Sequence, residues 1–208
     1  MKIGDIKIEA LRLMYADVPA RMTAENIEDH TADSDFEGYL AMMHGAINRC
    51  LNVIVERRVL PIKRHELNLA GAEKRGRTYR FDLSVVSDFY DVSRVIMVSE
   101  NAYDGDYPYR MEGESLVLLS PDEAASFSLL YHPRLSYVEP NDNGELEGVP
   151  NEIAMLIPYY LKGEIYREDE SGEASEAMSW FEQRLSEISE KRTEKQGSVA
   201  SVYDQGVL

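Results

Sequence analysis

The chain has 208 residues and carries 22 Lys and Arg against 38 Asp and Glu, a formal net charge of −16. Its 44% apolar residues are enough for the core of one or two domains, which excludes disorder throughout. The acidic excess also argues against a broad grip on nucleic acid, which needs clustered Lys and Arg to neutralise phosphates.

The acidity is spread along the chain: residues 1–60 carry 7 basic and 10 acidic side chains, residues 61–150 carry 9 and 16, and residues 151–208 carry 6 and 12. The single cysteine, Cys50, has no intrachain partner for a disulfide and reads as a buried thiol of a reducing compartment. No stretch approaches the roughly 20 apolar residues of a membrane span, and the N-terminus lacks a signal-peptide pattern, so a soluble protein made in a cytosol is expected.

In chain order, Ile6, Ile8, Leu11, Leu13 and Met14 predict a short helix over 4–16. Residues 17–33 are polar and contain Pro19, which predicts a long loop. Ser34 and Glu37 form a capping-box pattern, S-D-F-E. Phe36, Leu40, Met43, Ile47, Leu51 and Ile54 then recur at helical spacing, predicting a helix over 35–58 that Pro61 stops.

The middle of the chain changes period. Residues 78–83, 93–99, 109–111, 115–119 and 125–131 are short, rich in β-branched and aromatic residues, and separated by turn signals. Segments 109–111 and 115–117 around Glu112-Gly113-Glu114 predict a hairpin. These strands predict a small antiparallel sandwich or barrel. Before them, 63–80 is locally basic, with Lys63, Arg64, Lys74, Arg75, Arg77 and Arg80. It reads either as a solvated loop leading into the first strand or as a charged contact, to an acidic neighbouring subunit or to DNA phosphates.

After Pro150 the helical period returns. Ile153, Leu156, Ile157, Tyr160, Leu161, Ile165 and Tyr166 predict a helix over 151–168, kinked at Pro158. Ser171-Gly172 marks a break, and Ala177, Phe181, Leu185 and Ile188 predict a last helix over 173–191. Residues 192–208 have no helical period and read as a flexible tail. The expected fold class is thus α+β. A helical bundle is built from both chain ends (1–62 and 150–191), with a β domain inserted at 63–149 and an extended tail at 192–208.

Signs of catalysis are missing. No nucleotide-binding fingerprint or nucleophile elbow is present, and His30, His44, His65 and His132 are scattered. No catalytic, cofactor-binding or metal-ligating residue is expected. Asp104-x-Asp106 and Asp142-x-x-Glu145 are loop-type acids that do not complete a calcium loop. Two alternatives stay open. One is a carbohydrate- or protein-binding β module, which would cluster Tyr103, Tyr107 and Tyr109 on one exposed face. The other is a metal-dependent enzyme built on carboxylates.

Residues 157–170, I-P-Y-Y-L-K-G-E-I-Y-R-E-D-E, and 173–185, E-A-S-E-A-M-S-W-F-E-Q-R-L, resemble the C-terminal helices of tailed-bacteriophage head–tail connector proteins. Residues 38–60 are similar to the long helix of that family, with its Ala-Ile-Asn/Arg centre. The two helical blocks cover about half of the chain, and the β insertion departs from the compact members.

The resemblance implies a structural virion protein of the neck, a portal adaptor forming a ring of about twelve subunits. The implied partners are the portal, a tail-side stopper or tail-terminator protein, further copies of the chain, and double-stranded DNA in transit. It also implies that the C-terminal segment docks on the portal or another partner, with Val199, Val202, Tyr203, Val207 and Leu208 as anchors. Lys63, Arg64, Lys74, Arg75 and Arg77 are the candidate charged contact between subunits. The acidic balance suits a conduit wall that does not hold DNA.

Overall fold

The computed structural model describes residues 1–14, 18–30, 36–99 and 102–204, with backbone alone for Glu37, Ser99, 102–104 and 193–204. The described chain is mixed α+β and divides into two units, Met1–Val59 with Leu135–Leu208, and Leu60–Arg134.

The first unit is helical: α1 (Ile3–Met14), α2 (Glu37–Glu56), α3 (Asn151–Ala154), α4 (Ile157–Ile165) and α5 (Ser171–Asp204). Helix α4 packs against α1, α2 and α5. The side chains that set the helical period are the ones withdrawn from water: Ile6 and Leu11 on α1, Met43, Ile47 and Ile54 on α2, and Phe181 and Leu185 on α5. Gly163 of α4 lets α5 come close, since a Cβ there would lie 3.0 Å from Met178 Cε and 3.3 Å from the Ala174 carbonyl. The end of α1 is capped from α4. Lys162 Nζ donates to the Leu13 carbonyl at 3.0 Å, and the Tyr166 hydroxyl to that of Met14 at 2.7 Å. These bonds satisfy carbonyls that a helix end leaves without partners.

Several expectations are corrected here. Residues 18–30 of the expected loop bury Met22, Ala24 and Ile27, and 27–30 form a turn of 3₁₀ helix. The capping box cannot be placed, because Ser34 lies outside the described residues; Phe36 opens α2 with no side-chain cap. Helix α2 stops five residues before Pro61. Arg57 still caps it with helical angles, and Arg58 takes a left-handed φ of 53°.

Pro158 does not kink one long helix. Helix α3 ends at Ala154, and Pro158 occupies the first turn of α4, where its missing amide costs no hydrogen bond. Helix α5 starts at Ser171 rather than after a break at Gly172, and it runs to Asp204. The expected period-free tail is therefore helical in backbone over 192–204. Lys, Glu and Gln between 191 and 196 are good helix formers. Extending an existing helix also needs no buried stripe.

The second unit holds two antiparallel sheets. One has the order β1 (Lys63–Leu67), β8 (Ser126–Pro133), β4 (Phe89–Ser99), β5 (Ala102–Asp106). The other has the order β2 (Glu73–Arg75), β3 (Thr78–Asp82), β7 (Ser115–Leu119), β6 (Tyr109–Glu112). Their inner faces share one cluster: Leu67, Val95, Phe127, Leu129 and Tyr131 from the first sheet, Tyr79, Phe81, Leu116 and Leu118 from the second. In β3 the alternation Tyr79 in, Arg80 out, Phe81 in is the period-2 pattern of a half-covered sheet.

The expected hairpin is present, with Glu112 opposite Ser115 and Gly113 at φ 62° in the first loop position. The β2–β3 hairpin repeats the device with Gly76 at φ 62°. Glycine suits a first loop position of positive φ because it has no Cβ to clash.

The loop reading of 63–80 is corrected, because this stretch supplies β1, β2 and most of β3. The boundary expected at 149 is corrected to 134. Residues 135–149 stay with the helices because Asn48 of α2 clamps them with two bonds. Its amide donates to the Val138 carbonyl at 2.9 Å and its carbonyl accepts from the Val138 amide at 2.8 Å. Further on, Ile3 N donates to the Gly144 carbonyl at 2.8 Å, and Leu146 N to that of Met1 at 3.1 Å.

Candidate functional site

The basic residues singled out in the sequence lie on β1, β2 and the β2–β3 turn. Most are engaged within their own unit. Lys63 pairs with Asp88 at 2.5 Å, Lys74 with Glu123 at 2.6 Å and Arg75 with Glu73 at 2.7 Å. Arg64 Nε donates to the Ser128 hydroxyl at 3.0 Å. Arg77 is exposed and makes no ion pair among the described residues. The hydrogen bond between Lys74 and Glu123 raises the lysine and lowers the carboxyl, so both are charged at neutral pH. The stretch therefore offers three paired cations, Lys63, Lys74 and Arg75, beside Arg64, bonded to a neutral hydroxyl, and the exposed Arg77.

The C-terminal anchors are only partly located. Val199, Val202 and Tyr203 belong to α5 by backbone, and their side chains lie outside the described residues, as do Val207 and Leu208 altogether.

Of the acidic candidates, Asp142 and Glu145 serve the fold, whereas Asp104 and Asp106, expected on a loop, lie on strand β5. Asp142 Oδ1 accepts from the Gly144 amide at 2.8 Å, and Glu145 binds the N-terminal ammonium at 3.2 Å. Lys7, buried on α1, donates to Glu28 at 2.5 Å and to Asn143 Oδ1 at 3.0 Å. Asp106 pairs with Arg94 at 3.7 Å, and the Asp104 side chain is not described. Among the described residues no group of three His, Cys, Asp or Glu stands ready for a metal ion. Burial pushes the Cys50 thiol well above its ordinary range, which leaves it unreactive. Of the three candidate tyrosines, Tyr107 stacks edge-on to Phe127 at 4.8 Å and its hydroxyl donates to the Leu119 carbonyl at 2.8 Å. Tyr109 also packs against the β core, and the side chain of Tyr103 lies outside the described residues. Among the described residues no helix is long and apolar enough to cross a membrane.

The feature that sequence reading missed is a groove on the helical unit, of about 890 Å³. Its origin is a pair of aromatic doublets, Tyr159-Tyr160 on α4 and Trp180-Phe181 on α5. Neighbouring residues on a helix point about 100° apart, so the doublets split. Tyr160 and Phe181 meet in the core, edge to face at 5.1 Å. Tyr159 and Trp180 meet outside it and stack at 3.8 Å with ring planes 27° apart. Burial foremost, and then Glu164, push the Tyr160 phenol up to about 12, so it is neutral at any ordinary pH.

The Tyr159–Trp180 stack forms one wall of the groove. Leu13, Leu156, Pro158 and Ile188 complete its apolar lining, and Met155, 64% exposed, stands at its mouth. The rim is charged. Arg184 lies over the Trp180 ring at 5.5 Å and pairs with Glu187 at 2.8 Å. Glu152 pairs with Arg192 at 2.6 Å. Lys191, also on the rim, is exposed and makes no ion pair among the described residues. An apolar trough with an aromatic wall and a charged rim can hold an amphipathic helix or an apolar ligand. The signal in the sequence was the first member of each doublet, Tyr159 and Trp180, which the core did not need.

No family model matches the chain, and no curated protein matches it.

Proposed function

We propose that the chain is a structural protein of a tailed-phage neck, a head–tail connector that forms a ring beneath the portal. In this reading the helices of both chain ends make a bundle that carries the ring, and the β unit is an appendage. The end of α5, with Val199, Val202, Tyr203, Val207 and Leu208, is its docking segment. The ring adapts the portal to a tail-side stopper or terminator protein and leaves a conduit for DNA. No group in it acts on a substrate.

The observation that carries the reading is the α4–α5 pair. Residues 157–185, on which the resemblance rests, pack closely at Gly163 and share both aromatic contacts. The net charge of −16 supports the conduit, since like charge keeps DNA from adhering. Cryo-electron microscopy of assembled particles tests it. The expected result is a ring of this chain between portal and tail. Particles whose neck lacks the chain overturn it.

A further inference from the structure

The groove and the end of α5 cannot meet within one molecule. Trp180, Arg184, Ile188 and Lys191 line the groove from the first part of α5. The same helix continues without a break to Asp204. From Ile188 to Tyr203 is fifteen residues, or about 22 Å of helix axis. A continuous helix of that length cannot fold back onto the trough that its own earlier turns line.

The two parts are nevertheless alike in scale and opposite in character. The groove runs along α5 from Trp180 to Lys191, about 16 Å of helix. Val199, Val202, Tyr203 and Val207 fall at i, i+3, i+4 and i+8 in the sequence, the anchor spacing of a helix that lays one face into a groove. Wound as a helix to Val207, that stripe would span about 12 Å. The rim is mixed in charge, with Arg184 and Lys191 beside Glu9, Glu152 and Glu187, so the apolar stripe and the apolar trough carry the match.

We propose that the groove of one copy receives residues 199–208 of a second copy. The contact is head to tail, because groove and segment are different surfaces of one chain. Such a contact repeats from copy to copy and closes into a ring or runs on as a filament. It deepens the connector reading by naming the partner of the docking segment: the next subunit, in place of the portal. It rests on that reading only for closure into a ring.

Sedimentation velocity over a range of concentrations tests the proposal. The wild-type chain is expected to gain mass with concentration. A segment variant, Val202→Asp with Tyr203→Asp, and a groove variant, Met155→Glu with Lys191→Glu, are each expected to stay monomeric. Met155 and Lys191 are exposed, so unchanged helix content and melting temperature are expected of the groove variant. Mixing the two variants leaves one intact groove and one intact segment, and is expected to give heterodimers that grow no further.

Trp180 is the only tryptophan of the chain and reports on the groove. A synthetic peptide of residues 193–208, titrated into the segment variant, is expected to shift its emission, and to leave that of the groove variant unchanged. Four results each overturn the proposal. These are a wild-type chain that stays monomeric, self-association that survives either variant, a mixture that stays monomeric, and a peptide with no effect on Trp180. A segment that binds isolated portal and no second copy overturns it as well. The connector reading is tested independently, by presence of the chain in the neck.

Discussion

Gly4 shows how a single missing atom holds the first helix in place. A Cβ there would lie 2.5 Å from the Ala24 carbonyl oxygen and 2.7 Å from its Cα. The neighbour is backbone, so it cannot swing away. Gly4→Ala gains about 1 kcal/mol of helix propensity but must push residues 18–30 off α1. Overpacking of this kind costs about 1–3 kcal/mol, and a net loss of stability in urea unfolding is expected. An unchanged or raised midpoint would show that residues 18–30 yield freely.

In the β unit, Asp88 accepts from Lys63 at 2.5 Å and from the Tyr131 hydroxyl at 2.8 Å. Partial burial pushes its carboxyl up, but the Lys63 and Tyr131 bonds outweigh it and hold the group below its ordinary value. A lowered folded-state pKa stabilises above the unfolded value, near 3.9, and that stability is lost as pH falls through the folded value. Tyr131 has the opposite sign. Burial first, then the Asp88 bond, push it up to about 12. Its contribution is complete below the unfolded value near 10 and is lost as pH rises towards 12. Asp88→Asn is expected to cost about 1 kcal/mol at neutral pH. It is also expected to flatten the fall in stability below about pH 4, measured by denaturant melts at several pH values.

Among the elements, Pro158 separates two structures that predict opposite signs. Inside a continuous helix, replacing it with Ala would restore a hydrogen bond and gain about 3 kcal/mol. In the first turn of α4 it breaks no bond, is buried, and stiffens the unfolded chain. Pro158→Ala is therefore expected to lower stability by about 0.5–1 kcal/mol. A stabilised variant would restore the kinked-helix reading.

The contrast shows which features were legible in the sequence. Long buried stripes were: Leu40 to Ile54 on α2 and Ala177 to Leu185 on α5 announce themselves by period and are buried. Strands β3, β6, β7 and β8, and β4 from residue 93 on, were found by β-branched and aromatic runs between turns. Strands β1 and β2 escaped because K-R-H-E-L and E-K-R are almost wholly polar. They are held by pairing to β8 and β3 rather than by burial of their own side chains. The helix past residue 192 escaped for a similar reason, since it continues by propensity and not by a stripe. The groove was hidden differently: its aromatics sit beside the core aromatics, and only their helical phase separates the two sets.

At the scale of the whole molecule, the residues 60–134 draw their core from within that span. Expressed alone, this segment is expected to give a β-type circular dichroism spectrum and a single cooperative melt of modest stability, since domains near this size are marginal. Phe127→Ala, at 1% exposure in the centre of the cluster, is expected to remove about 3–5 kcal/mol and leave the fragment unfolded. A fragment with no cooperative transition would mean that the core needs residues from outside the span.

The placement of that span has a consequence for biosynthesis. Helices α1 and α2 leave the ribosome first, yet their packing partner α4 begins at Ile157, about a hundred residues later. At about 5–20 residues per second, the wait is about 5–20 s. For that time the nascent chain carries Ile6, Leu11, Met43 and Ile47 without α4 to complete their cover, while the intervening strands complete their own fold. The chain is thus exposed to premature association on the ribosome through the very face that later closes over α4. Chaperone dependence of its soluble yield is the trace this should leave.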